Sequence, residues 1–282
     1  MTSNSTVLAV AALAAGIVLA GAGPVPLNDG QSHGDPPFLL EGGWRSLLNG
    51  KDLGGWVYRT PEKAGWTATR AVRWGGPDEP RDLQSAPQPG DRIVNTTKRS
   101  DHGTNEKLDV QAASDLLTTE KFGDVELYVE FLMPTNSNSG VYLQGQYEVQ
   151  IYDSFGHDFS NHVNLICGSI YSYERKVNGH YPGAVAPMVR ADRPPGQWQS
   201  FQIWFQAPRF DAAGKKTANA KFLRVLHNGV LIQESVEREG PTLGAMSYPE
   251  AATNPLMLQG DHGPVAFRNI YIRPLRPLAE RK

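Results

Sequence analysis

The sequence predicts an all-β protein, a sandwich of two antiparallel sheets, and three observations point there. Short runs of alternating apolar and polar residues recur, as where Val125, Leu127, Val129 and Phe131 alternate with Glu126, Tyr128 and Glu130. Asn228-Gly229 separates two such runs, 222–227 and 230–233, and supplies the two positive-φ positions of a tight hairpin. The 29 glycines and 21 prolines among 282 residues suit a chain of many turns, and no helical period lasts three turns.

In chain order, residues 7–22 form an apolar, Ala-rich run followed by Pro24 and Pro26. The run is short for a bilayer span and reads as a signal peptide over residues 1–22, with Ala20-Gly21-Ala22 as its cleavage site. A periplasmic or secreted protein is expected, with no stable membrane insertion once the leader is removed. Residues 23–42, rich in Gly, Pro, Asp and Ser, read as a flexible linker. The sandwich domain is expected over 43–278. Residues 70–105 mix charges with Pro and Gly without a pattern and read as a long surface excursion beside the site. Residues 141–152 read as one strand after the turn residues Pro134 and Asn136-Ser137-Asn138-Ser139-Gly140. Val265, Phe267, Asn269 and Tyr271 form a last strand closed by Pro274.

Composition excludes some function classes. The 27 basic and 29 acidic residues give a net charge of -2, with no clustered basic footprint for nucleic acid. The lone cysteine, Cys167, permits no intramolecular disulfide and sits in an apolar run, which fits a buried hydrophobe better than a nucleophile. His157 and His162 flank Asp158 without metal-ligand spacing. His227 precedes a hairpin turn and reads as structural.

The strongest chemical signal lies in residues 141–152. Val141, Leu143, Tyr147, Val149 and Ile151 belong on a core face, which puts Tyr142, Gln144, Gln146, Glu148, Gln150 and Tyr152 on the other. Amides and a carboxylate match sugar hydroxyls, and tyrosine rings can stack on sugar C–H faces, so a carbohydrate is the expected partner. Tyr142, Gln144, Glu148 and Gln150 are expected to line one open groove. Leu258-Gln259-Gly260-Asp261-His262-Gly263 adds an acid and an imidazole at a turn, and Arg268 lies opposite Phe267 in the last strand.

Several stretches resemble the family of 3-keto-disaccharide hydrolases, also described as 3-keto-glucoside 1,2-lyase and 3-keto-2-hydroxy-glucal hydratase domains. They include Leu47-Leu48-Asn49-Gly50-Lys51-Asp52-Leu53-Gly54-Gly55-Trp56, Asn138-Ser139-Gly140-Val141-Tyr142-Leu143 and Tyr147-Glu148-Val149-Gln150-Ile151-Tyr152-Asp153-Ser154. Leu226-His227-Asn228-Gly229-Val230 and Phe267-Arg268-Asn269-Ile270-Tyr271-Ile272-Arg273-Pro274-Leu275 continue the match in order. The resemblance implies a concanavalin-A-like jelly roll with its site on one sheet. It also implies cleavage of 3-keto-glycosides by elimination across carbons 1 and 2, then hydration. Gln144 and Gln146 stand where the family usually carries arginines, Gly260 is an extra residue, and residues 70–105 are longer than the family pattern.

That chemistry needs a base for the carbon 2 proton, an acid for the leaving oxygen, and positive charge near the enolate. The candidates are Glu148 or His262 as base, Asp153 or Asp261 as donor or orienter, and Arg268 near the enolate. Asn138, Tyr142, Gln144, Gln146, Gln150 and Gln259 would bind the sugar. A divalent metal could replace Arg268 in the electrophilic role. A conventional glycoside hydrolase on the same fold would need a second carboxylate facing Glu148, and a non-catalytic carbohydrate-binding module would need neither.

Overall fold

The computed structural model describes residues 36–97, 113–174, 177–178 and 181–277. The expected leader, the linker up to residue 35 and residues 98–105 of the excursion lie outside the described residues. The first strands are β1 (Arg45–Ser46), β2 (Trp56–Tyr58), β3 (Trp66–Thr69), β4 (Arg73–Trp74), β5 (Leu83–Gln84) and β6 (Arg92–Asn95). The central ones are β7 (Leu116–Phe122), β8 (Val125–Leu132), β9 (Asn138–Leu143), β10 (Tyr147–Tyr152) and β11 (Gln199–Gln206). Then come β12 (Arg209–Phe210), β13 (Lys216–Ala218), β14 (Ala220–His227), β15 (Val230–Arg238), β16 (Asn254–Leu258) and β17 (Val265–Pro274).

Eight strands form one antiparallel sheet, in the order β15-β14-β11-β8-β17-β6-β3 with β1 also on β17, and five form the other, β10-β9-β16-β7-β2. The chain repeatedly changes sheet, from β6 to β7, back at β8, over at β9, back at β11, over at β16 and back at β17. That alternation is the jelly-roll sandwich. The two facing surfaces meet in one core, where Leu127, Val129, Phe131, Phe201, Ile203 and Phe267 oppose Val141, Leu143, Val149, Ile151 and Leu258. Each such side chain contributes roughly 1.5–3 kcal/mol on burial, so the odd residues of β9 and β10 are fixed inward and their even neighbours outward.

Four expectations are corrected here. Residues 141–152 are a hairpin rather than one strand, with Gln144 and Gly145 at φ 57° and 63° in its turn and Tyr147 opposite Leu143. The face that carries Tyr142 and Glu148 is largely covered, since every residue of β9 and β10 is buried. Backbone bonds from Tyr171 to Glu148 O (3.2 Å), from Gln150 to Ser169 O (2.9 Å) and from Thr242 to Gln146 O (2.7 Å) lay two loops along the free edge of β10. In β17, Asn269 takes φ 47° at a bulge between Arg268 and Tyr271, so Ile270 and Ile272 point inward while Tyr271 stacks outside on Phe38 at 3.7 Å. In the described part of the excursion, Trp74 and Leu83 pack beside Trp198 on the outer face of the larger sheet, and Arg92–Asn95 is β6 of that sheet itself. Only its end, Asn95, comes near the face of the smaller sheet that carries Tyr142 and Glu148.

Candidate active site

A cavity of about 420 Å³ opens on the outer face of the five-stranded sheet, lined by Asn138, Tyr142, Glu148, Tyr171, Leu243, Gly244, Gln259 and His262. Its floor follows from strand register. Glu148 pairs with Tyr142, and Gln150 pairs with Gly140. A Cβ on Gly140 would lie 2.2 Å from Glu148 Oε1, so the absent side chain makes the space that the carboxyl occupies. Gln259 joins from the other side by donating its N–H to Gly140 O at 3.0 Å. Tyr171 enters from the loop over β10, and Leu243 and Gly244 from the loop beyond Thr242.

Glu148 is fully buried, and loss of hydration pushes its carboxyl well above the ordinary range. A hydrogen bond from Tyr142 works against this shift, while Asp115 and Asp261 add to it. Burial therefore favours the protonated, neutral form of Glu148. The Tyr171 hydroxyl is pushed up to about 12, first by burial and then by Glu148, and stays a donor. Asn138 Oδ1, Glu148 Oε2 and Gln259 Oε1 are buried without a hydrogen-bond partner. Such acceptors cost free energy until something donates to them, and sugar hydroxyls are suitable donors.

His262 is held by its neighbours. Its Nδ1 meets the Asp261 carboxylate. An adjacent carboxylate fixes the proton on Nδ1 and makes Nε2 the basic nitrogen. The turn itself is clamped by Asn95 Nδ2, which donates to Gly260 O (2.8 Å) and Gly263 O (3.2 Å). The extra Gly260 has a steric reason: a Cβ there would lie 2.4 Å from Ser114 O.

The other sequence candidates lie elsewhere. Gln144 donates to Phe122 O (3.0 Å) and Ala252 O (3.1 Å), and Gln146 to Tyr248 O (2.7 Å), so both brace the hairpin tip. Gln150 donates to Asn164 O at 2.6 Å and supports the loop carrying Tyr171. The expected open groove containing Gln144 and Gln150 is thus corrected to a smaller cavity without them. Asp153 accepts the Asn136 N–H at 2.9 Å and holds the start of β9. Arg268 is on the far side of the other sheet, bonded to Glu130 at 2.6 Å and 4.1 Å from the Trp198 ring centroid. It cannot face an enolate in this cavity. Cys167 is buried with its thiol pushed up by desolvation, and His227 is buried and lowered to about 3 for the same reason. Sequence reasoning missed Tyr171, Leu243 and Gly244, which sit in loops with no periodic signal.

Among the described residues no three His, Cys, Asp or Glu side chains come close enough to hold a metal ion. The cavity offers Glu148 and His262 with two amides, too few anionic or imidazole donors for an ordinary divalent site.

A protein of Parabacteroides distasonis provisionally named a glycosyl hydrolase is similar in structure at 28% identity and a TM-score of 0.57, over 83% of this chain and 84% of that one. A second of the same organism and provisional name has 20% identity and a TM-score of 0.49, over 82% and 99%. No curated protein matches the chain. The model of the 3-keto-alpha-glucoside-1,2-lyase-like domain matches residues 43–273, nearly the whole described sandwich including every residue that lines the cavity, and the chain belongs to that family.

Proposed function

We propose that the protein is a carbohydrate-active enzyme that cleaves 3-keto-glycosides by elimination and hydration. One observation carries this reading: a buried carboxyl, Glu148, whose neutral form burial favours, shares a cavity with the Asp261–His262 pair. Two proton carriers in such different surroundings separate into an acid and a base. His262 Nε2 removes the proton on carbon 2, which the carbon 3 ketone has acidified. Asn138 and Tyr171 are the neutral donors available to the enolate oxygen. As the enolate collapses, the bond from carbon 1 to the glycosidic oxygen breaks and Glu148 protonates that oxygen. The Glu148 carboxylate then takes a proton from water as its oxygen adds to carbon 1, and His262 returns its proton to carbon 2. The net change is hydrolysis, and both groups regain their starting states.

A conventional glycoside hydrolase is less well supported, because Glu148 is the one carboxylate among the described lining residues. Incubation with 3-keto-trehalose and with unoxidised trehalose tests the reading. Cleavage of the first alone, with solvent deuterium entering at carbon 2, is expected. Equal cleavage of both, without exchange, would sink it. Export is part of the same proposal, and N-terminal sequencing of protein from the periplasm or medium should begin after about Ala22; an intact Met1 on membrane-bound protein would count against it.

A further inference from the structure

Two loops wall the cavity, and one ion pair with a buried carboxylate ties both of them down. Asp115, at the start of β7, accepts the Gly260 N–H on Oδ1 at 2.9 Å. Its Oδ2 accepts from Arg59 Nη1 at 3.1 Å. The same guanidinium donates to Gly244 O at 2.9 Å and to Ala245 O at 3.2 Å. The Asp115 side chain is 6% exposed and that of Arg59 32%. Flanking bonds make the anchor rigid: Arg59 N–H to Asp115 O (2.9 Å), Thr60 N–H to Ser114 Oγ (2.8 Å) and Trp66 Nε1–H to Ser114 O (2.7 Å).

We propose that Asp115, held by Arg59, is the positioning residue of the acid–base pair, fixing the turn that carries His262 and presenting its negative charge to Glu148. The role rests on the assignment of Glu148 and His262 as proton carriers. A fold that needed only to close this corner could do so with neutral groups. A nearly buried carboxylate with one cationic partner, beside a second buried carboxyl, is an arrangement that changes proton affinity. Glu148 is faced by Tyr142 from β9, Tyr171 from the covering loop and His262 across the cavity, and it feels the charge of the Asp115 and Asp261 carboxylates. Burial and then Asp261 raise the proton affinity of Asp115 itself, while the Gly260 N–H and Arg59 work to keep it ionised. Both carboxylates push Glu148 toward its neutral form, which the acid role requires. Asp261 does so from the exposed side and also holds His262, so Asp115 is the neighbour whose charge can be removed without touching the imidazole.

Asp115→Asn and Asp115→Ala separate charge from hydrogen bond. The Glu148 carbonyl stretch, assigned by its loss in Glu148→Gln, is titrated by infrared difference spectroscopy, and the His262 ring is followed by NMR. Neither needs substrate. In Asp115→Asn the Glu148 midpoint should fall by about one pH unit or more, since a neighbouring negative charge is gone. The His262 resonances should stay in place, because the Asn oxygen still accepts the Gly260 N–H. Asp115→Ala should move both. With a 3-keto-disaccharide, the alkaline limb of kcat/KM should move to lower pH by the same amount as the midpoint. An unmoved midpoint in Asp115→Asn overturns the proposal, as do unmoved His262 signals in a folded Asp115→Ala protein. If Asp115→Ala does not fold, the Asn variant decides alone. A shifted midpoint in a protein that cleaves no 3-keto sugar sinks the functional reading and leaves the positioning role standing.

Discussion

Glu148 and Glu126 are both fully buried on outward-facing strand positions, one in each sheet, yet their surroundings are opposite. Glu126 bonds Arg273 Nε at 2.7 Å, and that guanidinium lies 4.2 Å from the Trp44 ring centroid and also reaches Glu41 at 2.6 Å. Glu148 has a tyrosine, two nearby carboxylates and an unpartnered Oε2. The larger sheet buries charge by pairing it. The smaller sheet buries a carboxyl without a cationic partner, which favours its neutral form. Unpaired burial is a local cost to stability that a reactive site retains.

The comparison breaks first at turnover. Glu148→Gln should lower kcat on a 3-keto-disaccharide by about two to four orders of magnitude, the usual worth of a positioned acid or base. Steady-state kinetics would show it, and a wild-type rate would reduce Glu148 to a hydroxyl-binding residue. Arg273→Met should leave activity per folded molecule intact but lower stability by roughly 3–5 kcal/mol, since it strands Glu126 in a dry site. Denaturant unfolding measures that loss, and a loss under about 1 kcal/mol would show that Arg276, 3.6 Å from Glu126 Oε1, suffices as partner.

A smaller effect runs the other way. The folded-state pKa of Glu148 lies above its unfolded value, so its ionisation opposes folding. The stability is whole below the unfolded value and is lost as pH rises from there to the raised folded value, at about 1.4 kcal/mol for each pH unit between the two. Glu148→Gln removes a titrating group without changing volume. The variant should therefore melt higher than wild type at about pH 8, and the gain should vanish near pH 4, around the ordinary carboxyl value. A gain that is independent of pH would mean that Glu148 is not held neutral.

Much of this was legible in the sequence. Asn228-Gly229 marked its hairpin, and both residues take positive φ, 51° and 80°. Gln144-Gly145 does the same at a second hairpin but carries no such signal, because Gln is an unusual residue at positive φ. The faces were still assigned correctly, since Leu143 pairs with Tyr147 and alternation runs in phase across the turn. In β17 the bulge at Asn269 broke the phase, and nothing local announced it. Of the site residues, Glu148, His262, Tyr142 and Gln259 were named from pattern, and Asn138 from a stretch that resembles the family. Tyr171, Gly244, Asp115 and Arg59 were not, because loops fold back onto strands through contacts without period.

The smallest expected effect tests whether the two sheets are independent. Arg268 was a candidate for enolate stabilisation, yet it points away from the core on the eight-stranded sheet and spends its charge on Glu130. Replacing Arg268 alone would strand Glu130, which is 2% exposed, and confuse a folding defect with a catalytic one. The informative variant combines Glu130→Gln with Arg268→Met. The amide still accepts from Tyr128, whose hydroxyl donates to Glu130 Oε1 at 2.8 Å, and the thioether can pack on Trp198 where the guanidinium lay. Replacing a buried pair with neutral groups of similar volume is often close to neutral, so stability should change by about 1 kcal/mol or less. Because the core separates this pair from the cavity, kcat/KM should stay within about twofold of wild type, as for sites that share no partner. A tenfold fall in kcat/KM with unchanged stability would show that charge on the larger sheet reaches the chemistry, and the division between a pairing sheet and a reactive sheet would have to be abandoned.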